Sequence, residues 1–323
     1  MAFMRTFLTS LAIVLVLISA ASGYVWWNYD AVVTMILKPQ TATAGDITEE
    51  SFGLVTPDGK RFALGDLQGA LSNFEPSADG APRPLVLFVH GFGPDPDGEF
   101  GLYTMGELAK GAGADVLMFN WPSWISMTEF PVLNARAASE RLIALLHDMA
   151  DLSGPGQALA DRPVMIVGHS MAGELFRHVG EASPDLPRGL VARILFAVPE
   201  TALPDHRLWM EKLSFADEIF VFVNADDPAL QVTTRMYNTA RLGRTLTNLD
   251  GSPEPLAQNA DYILLDPESW RHYFFVSGQR SEAIDQIFAD ILRNGTPALN
   301  HDYLRPEPAD NVFLVVGPGA EGF

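Results

Sequence analysis

Between Pro84 and Leu265 the chain carries six short, uninterrupted apolar runs, and these constrain the fold more than any other feature. They read LVLFV at 85–89, DVLMF at 115–119, PVMIVG at 163–168, RILFAV at 193–198, EIFVFV at 218–223 and DYILL at 261–265. A strand with one wet face alternates apolar and polar residues. A run that is apolar throughout suits a strand covered on both faces, as in a parallel sheet between two helical layers. The intervening segments suit crossover helices. Ala138, Leu142, Leu145, Leu146 and Met149 recur at helical spacing within Ala135 to Met149, and Ile284, Ile287, Phe288 and Ile291 do so within Ser281 to Leu292. The alternation predicts an α/β domain with a mostly parallel, doubly wound sheet over residues 84–295. Residues 31–83 read as a connector and N-terminal hairpin, because Asp58-Gly59 lies between short apolar stretches and 76–84 is rich in loop residues. Residues 296–323 read as a tail rich in Pro and Gly with one strand-like run, NVFLVV.

The length of 323 residues allows one large α/β domain and a short additional segment. A formal net charge of -19 disfavours nucleic acid, since the phosphate backbone repels such a surface and no basic stripe offsets it. The chain has no cysteine, which removes disulfides, thiolate nucleophiles, Cys-based zinc sites and a lipidated-cysteine anchor. None of these features sets an oligomeric state.

The first 30 residues differ from the rest. No charged residue lies between Arg5 and Asp30, and the stretch from Phe7 through Trp27 matches the about 20 residues of helix that cross a bilayer. Arg5 precedes the apolar core, which puts the N-terminus on the cytoplasmic side, and Trp26, Trp27 and Tyr29 follow it where an interfacial aromatic belt lies. The expectation is a transmembrane helix over 1–30 that holds the catalytic domain outside the cytoplasm, on the periplasmic side. The competing reading is a signal peptide cleaved near Ala20, Ala21, Ser22 and Gly23, which exports a soluble protein instead.

The chemistry is concentrated at VMIVGHSMAGELF, residues 164–176. A buried strand runs to Gly168, Ser170 stands two residues on, and a helix follows. This is the setting of a nucleophile elbow, whose tight turn demands small neighbours; Gly168 and Ala172 supply them, Ala172 standing where G-x-S-x-G has its second Gly, with Gly173 next. The plainer alternative is a serine that only caps a helix. A second feature points to chemistry: LVLFVHGFG, at 85–93, ends a buried strand in His90-Gly91. In an elbow hydrolase the loop after such a strand and the residue after the serine supply the oxyanion amides, here Phe92 and Met171. His90 then serves as a structural histidine bonded within its own loop.

The acid and base follow the serine in that order. Asp226 and Asp227 end the EIFVFV segment, and position alone does not choose between them. His272 follows the next strand and precedes the last helix. His147 and His178 fall within predicted helices, His206 precedes the acid, and His169 cannot fold back onto its adjacent serine. His301, in the tail, is the rival base. Two apolar or aromatic segments, 123–133 and 203–210, fall where lids occur, although Trp124, Phe130 and Trp209 are equally read as packing residues.

HGF at 90–92, NWPS at 120–123, GHSMAG at 168–173, AVPE at 197–200, DDPAL at 226–230, RLG at 241–243 and RHYFF at 271–275 together resemble the DUF900 family of α/β-hydrolases, in that family's order over roughly 84–293. The resemblance implies the α/β-hydrolase fold and a triad, and it places the acid at Asp227. It departs at Ala172 and at Glu200, where the family often has Asp, and it names no substrate. The expected reaction is hydrolysis of a carboxylic ester, ahead of a thioester or amide, by Ser170, His272 and Asp227, with no metal or organic cofactor. The second reading is a catalytically silent, membrane-tethered binding module that has kept the fold.

Overall fold

The six apolar runs become six neighbouring parallel strands. The computed structural model describes residues 38–39, 47–75, 83–93, 95–124, 129–265, 272–276, 282–300 and 302–316, so the expected helix over 1–30 and the base candidate His301 lie outside the described residues. The strands are β1 (Lys38–Pro39), β2 (Gly53–Val55), β3 (Arg61–Phe62), β4 (Leu85–Val89), β5 (Asp115–Asn120), β6 (Glu129–Phe130), β7 (Val164–His169), β8 (Val191–Ala197), β9 (Ala216–Val223), β10 (Ala260–Leu264), β11 (Leu304–Pro306) and β12 (Val312–Val315). The helices are α1 (Leu67–Leu71), α2 (Glu99–Ala112), α3 (Val132–Asp151), α4 (Ala172–Ala182), α5 (His206–Met210), α6 (Pro228–Tyr237) and α7 (Glu282–Asn294).

Ten strands form one sheet in the order β11-β12-β10-β9-β8-β7-β4-β5-β2-β3. Every neighbouring pair from β12 to β5 is parallel. The β2–β3 hairpin joins one edge antiparallel to β5, with Gly59 in its turn at φ 80°, a left-handed value that glycine adopts without penalty. At the other edge β11 pairs antiparallel with β12. The hairpin segment and the C-terminal segment therefore both extend the central sheet. β1 and β6 form a separate parallel pair.

Alternate residues of each central strand feed two cores. Leu85, Leu87, Val89, Ile166, Phe196 and Val221 pack with α3 and α4 residues such as Leu142, Leu146 and Phe176 on one face. Val86, Phe88, Val167, Leu195 and Phe222 pack with Met105, Ile284 and Phe288 of α2 and α7 on the other. Both faces are dry, which explains runs that are apolar at every position.

The order reverses at β4: the chain goes from β4 outward to β5, then returns past β4 to β7. In open α/β sheets, ligands bind outside the carboxyl ends of the strands at such a switch point. Here the loop from His90 and the turn at Ser170 sit at those ends.

Candidate active site

Ser170 occupies the turn between β7 and α4 with φ 52°, a conformation uncommon for a residue with a β-carbon. Three main-chain bonds hold it. Its N–H donates to the Ala197 carbonyl at 3.0 Å, and its own carbonyl accepts from Gly173 at 2.8 Å and from Glu200 at 2.7 Å. Glu174 N–H closes onto Met171 O at 3.1 Å and starts the helix.

The crowding at this turn is specific. A β-carbon on Gly91 would stand 2.8 Å from Ser170 Cβ, so only glycine lets the β4 loop come this close. A β-carbon on Gly168 would meet Ala172 Cβ at 3.5 Å, an ordinary contact, so the alanine is accommodated. The demanding position is Gly173, where a β-carbon would lie 2.6 Å from Pro199 Cβ and 3.2 Å from Glu200 N. Gly173→Ala is therefore expected to push the 199–200 turn off the Ser170 carbonyl. The helix preference of alanine offsets about 1 kcal/mol. A net loss of roughly 1–2 kcal/mol in a urea melt is expected from the overpacking, and an unchanged midpoint would contradict this steric account.

His272 stands in the turn before α7, and its Nδ1 lies 2.7 Å from Asp227 Oδ2. Asp227 is wholly buried; its other oxygen accepts the Leu230 N–H at 3.0 Å, so it also caps α6. A carboxylate held on both oxygens cannot turn away from the imidazole. Asp226 is exposed, with its N–H on Asn224 Oδ1 at 3.2 Å. Among the described residues no hydrogen bond joins the Ser170 hydroxyl to His272; such bonds are often long before substrate binds. The Phe92 and Met171 amides likewise have no partner among the described residues, which leaves both free to donate.

His90 is fixed as a neutral spacer. Trp121 N–H donates to its Nε2 at 3.2 Å, so the proton sits on Nδ1 and is given to the Gly91 carbonyl at 2.8 Å. Burial pushes its pKa down to about 4. Asn120 Oδ1 also lies 3.2 Å from Nε2, and two acceptors cannot bond, so the Asn120 amide is better placed with its NH₂ toward the ring. This tie between the ends of the paired strands β4 and β5 fixes the Gly91–Phe92 segment.

Three contacts escaped the sequence reading. Glu200 is buried with Arg241 Nε 3.3 Å from its Oε1, and burial raises its pKa while Arg241 opposes the rise. The Arg241 guanidinium lies over the Tyr237 ring at 4.1 Å. Val198 is buried at φ 45°, a strained value for a β-branched residue, and Gly243 packs where any β-carbon would strike its carbonyl carbon at 2.3 Å. Together these brace the turn that donates Glu200 N–H to Ser170. The short motifs AVPE and RLG were their only sequence signal. Of the lid segments, Phe92 meets Trp124 at 5.0 Å and Phe130 at 5.2 Å. Trp209 instead packs in the core against Phe196, as a structural residue. Residues 125–128 lie outside the described residues. Among the described residues no group of three or more His, Asp or Glu is placed to hold a metal ion.

A parallel sheet with a serine at a strained strand–helix turn, and a buried Asp paired with a half-buried His after later strands, defines the α/β-hydrolase class. A sequence model of the alpha/beta hydrolase family matches residues 86–311, and the chain belongs to that family. No curated protein matches the chain. Solved structures with a similar course include carboxyl esterase 2 from the mycorrhizal fungus Tuber melanosporum, at 14% identity and a TM-score of 0.42, covering 81% of this chain and 91% of that one. A cold-adapted esterase from an Arctic intertidal metagenomic library matches at 16% identity and a TM-score of 0.39, covering 65% and 85%. A hormone-sensitive lipase from a metagenome library matches at 17% and 0.39, covering 71% and 89%. None of these likenesses bears on this chain's substrate.

Proposed function

We propose that this chain is a serine hydrolase that cleaves carboxylic esters through an acyl-enzyme. The observation that carries the reading is the strained Ser170 turn at the carboxyl ends of β4 and β7, with His272 held 2.7 Å from the buried Asp227 beside it. Neutral His272 takes the proton of Ser170 Oγ as that oxygen attacks the ester carbonyl. The Phe92 and Met171 amides hold the oxyanion. Collapse expels the alcohol, which takes the proton from His272 Nε2. Water then gives a proton to the same nitrogen, attacks the acyl carbonyl and releases the acid, returning the proton to Ser170. Asp227 keeps the Nδ1 proton in place and stabilises the imidazolium. The scheme calls for neither metal nor organic cofactor. Labelling the full chain with a fluorophosphonate probe and mapping the adduct tests it: an adduct on Ser170 is expected, and a chain that takes up no probe counts against the reading and for a silent binding module.

Within the family, the DUF900 branch is the assignment we favour. Its motifs meet in pairs: HGF with NWPS at His90 and Asn120, AVPE with RLG at Glu200 and Arg241, and DDPAL with RHYFF at Asp227 and His272.

The apolar segment before Asp30, followed by its Trp-Trp pair, supports an uncleaved membrane anchor with the hydrolase domain on the periplasmic side. N-terminal sequencing of the membrane fraction is expected to begin at or next to Met1. A start near Tyr24 would show a cleaved, exported protein instead.

A further inference from the structure

β1 begins eight positions beyond Asp30, the first charge after the apolar N-terminal segment, and it docks beside the proposed oxyanion loop. Lys38 and Pro39 stand opposite Glu129 and Phe130 of β6 in parallel register. The Phe130 ring lies 5.2 Å from that of Phe92, whose amide is one of the two proposed oxyanion donors. Eight fully extended residues reach at most about 29 Å, and a paired strand adds about 5 Å. Covalent reach therefore keeps β6 within about 35 Å of the point where a bilayer-spanning segment would end. The opposite pole of the sheet, where the 153–163 loop leads into β7, stands a further strand length away, about 20 Å. The rim beside β6 is also aromatic. α2 follows the loop at the carboxyl end of β4, and its first turns carry Phe100 and Tyr103, 43% and 47% exposed. They are two of the four large apolar side chains exposed among the described residues. Phe100 is edge-on to Tyr273 at 4.8 Å, and Tyr273 adjoins His272. Phe92 and Trp124 are half-buried, with ring centroids 5.0 Å apart. Rings with a polar tip, Tyr and Trp, favour the bilayer interface, where one end is apolar and the other wet. Asp95 and Glu99 are exposed on this rim, which sets it against an anionic surface.

We propose that the rim around the Phe92 loop faces the bilayer that anchors the chain, and that the ester is an uncharged, long-chain lipid drawn from a zwitterionic leaflet. The orientation rests on the membrane anchor, and the substrate rests on the serine-esterase reading as well. The test uses the full chain reconstituted in phosphatidylcholine vesicles. The chain has no cysteine, so one introduced thiol carries one label. A bimane on Glu99→Cys, at the start of α2, is expected to lose emission when the vesicles contain a lipid with a nitroxide headgroup. A bimane on Gln157→Cys, exposed in the loop before β7, is expected to keep its emission. Equal quenching at the two positions, quenching at neither, or quenching at Gln157→Cys alone overturns the orientation. Turnover is then compared for 4-methylumbelliferyl oleate carried in the vesicles and 4-methylumbelliferyl butyrate free in water. Eight EAAAK repeats inserted after Ala31 form a semi-rigid spacer that lifts the domain by about 60 Å. With the spacer, oleate turnover is expected to fall about tenfold, while butyrate turnover, which also reports an intact fold, holds within about twofold. Oleate turnover that survives the spacer overturns the proposal. Butyrate turnover without oleate turnover in the spacer-free chain overturns the lipid substrate and leaves the esterase standing. Quenching at Glu99→Cys with neither ester turned over sinks the esterase reading and its substrate but keeps the orientation. A chain that washes off the vesicles and still cleaves butyrate overturns both halves and leaves the esterase reading intact.

Discussion

Ser170→Ala is expected to lower turnover of an activated ester by roughly four to six orders of magnitude and to abolish fluorophosphonate labelling. Removing Oγ removes the nucleophile proposed, at the β7–α4 turn, to form the acyl-enzyme. On the proposed mechanism, water attack assisted by the Phe92 and Met171 amides survives, so the loss should stop short of the uncatalysed rate. The fold should not notice. The φ of 52° penalises serine and alanine alike, since both carry a β-carbon, and the bonds that hold the turn are main-chain bonds. The thermal midpoint should stay within about 2 °C of wild type. Labelling that persists in this variant would sink the nucleophile assignment, and a collapsed melt would show that the hydroxyl is structural.

Asp227→Asn is expected to cost about four orders of magnitude in kcat, with Asp226→Asn within a few-fold of wild type. Asp227 Oδ1 receives the Leu230 N–H at 3.0 Å, and the asparagine carbonyl can keep that bond. Its NH₂ then faces His272 Nδ1, where Oδ2 had been at 2.7 Å. Two donors cannot share the contact, so Nδ1 must give up its proton and Nε2 must hold one. Nε2 is the nitrogen that has to accept from Ser170, and the imidazole is trapped in the wrong tautomer. Asp226 is exposed and touches neither ring nor helix cap through its carboxylate, so neutralising it removes only a screened charge. Both variants measured on one activated ester decide the point, and the reverse ranking would move the acid to Asp226 without disturbing Ser170 or His272.

The sheet was legible because burial on both faces leaves a signature at every position of a strand. Each apolar run between 85 and 265 became a strand, and the Asp58-Gly59 turn became the β2–β3 hairpin. The elbow was legible for a related reason: a tight turn between a buried strand and a helix admits few side chains, and Gly168, Ser170 and Ala172 fit them. The sequence did not disclose which small residue the turn needs most. Gly173 is demanding because Pro199 lies against it, and Pro199 is 26 positions away in the chain.

By itself, the sequence determined the parallel α/β layering, the strand–turn–helix around Ser170 and the small set of acids and histidines that could complete a site, because these follow from local periodicity and from the steric limits of a turn. Tertiary structure decided the rest. It put the imidazole of His272 on Asp227 and left Asp226 in solvent, closed Glu200 against Arg241, and carried the hairpin and the C-terminal strands to opposite edges of one sheet. Each of these depends on the distance and direction between groups far apart in the chain, and the crossover geometry that sets those vectors is fixed only when the two cores pack against the sheet.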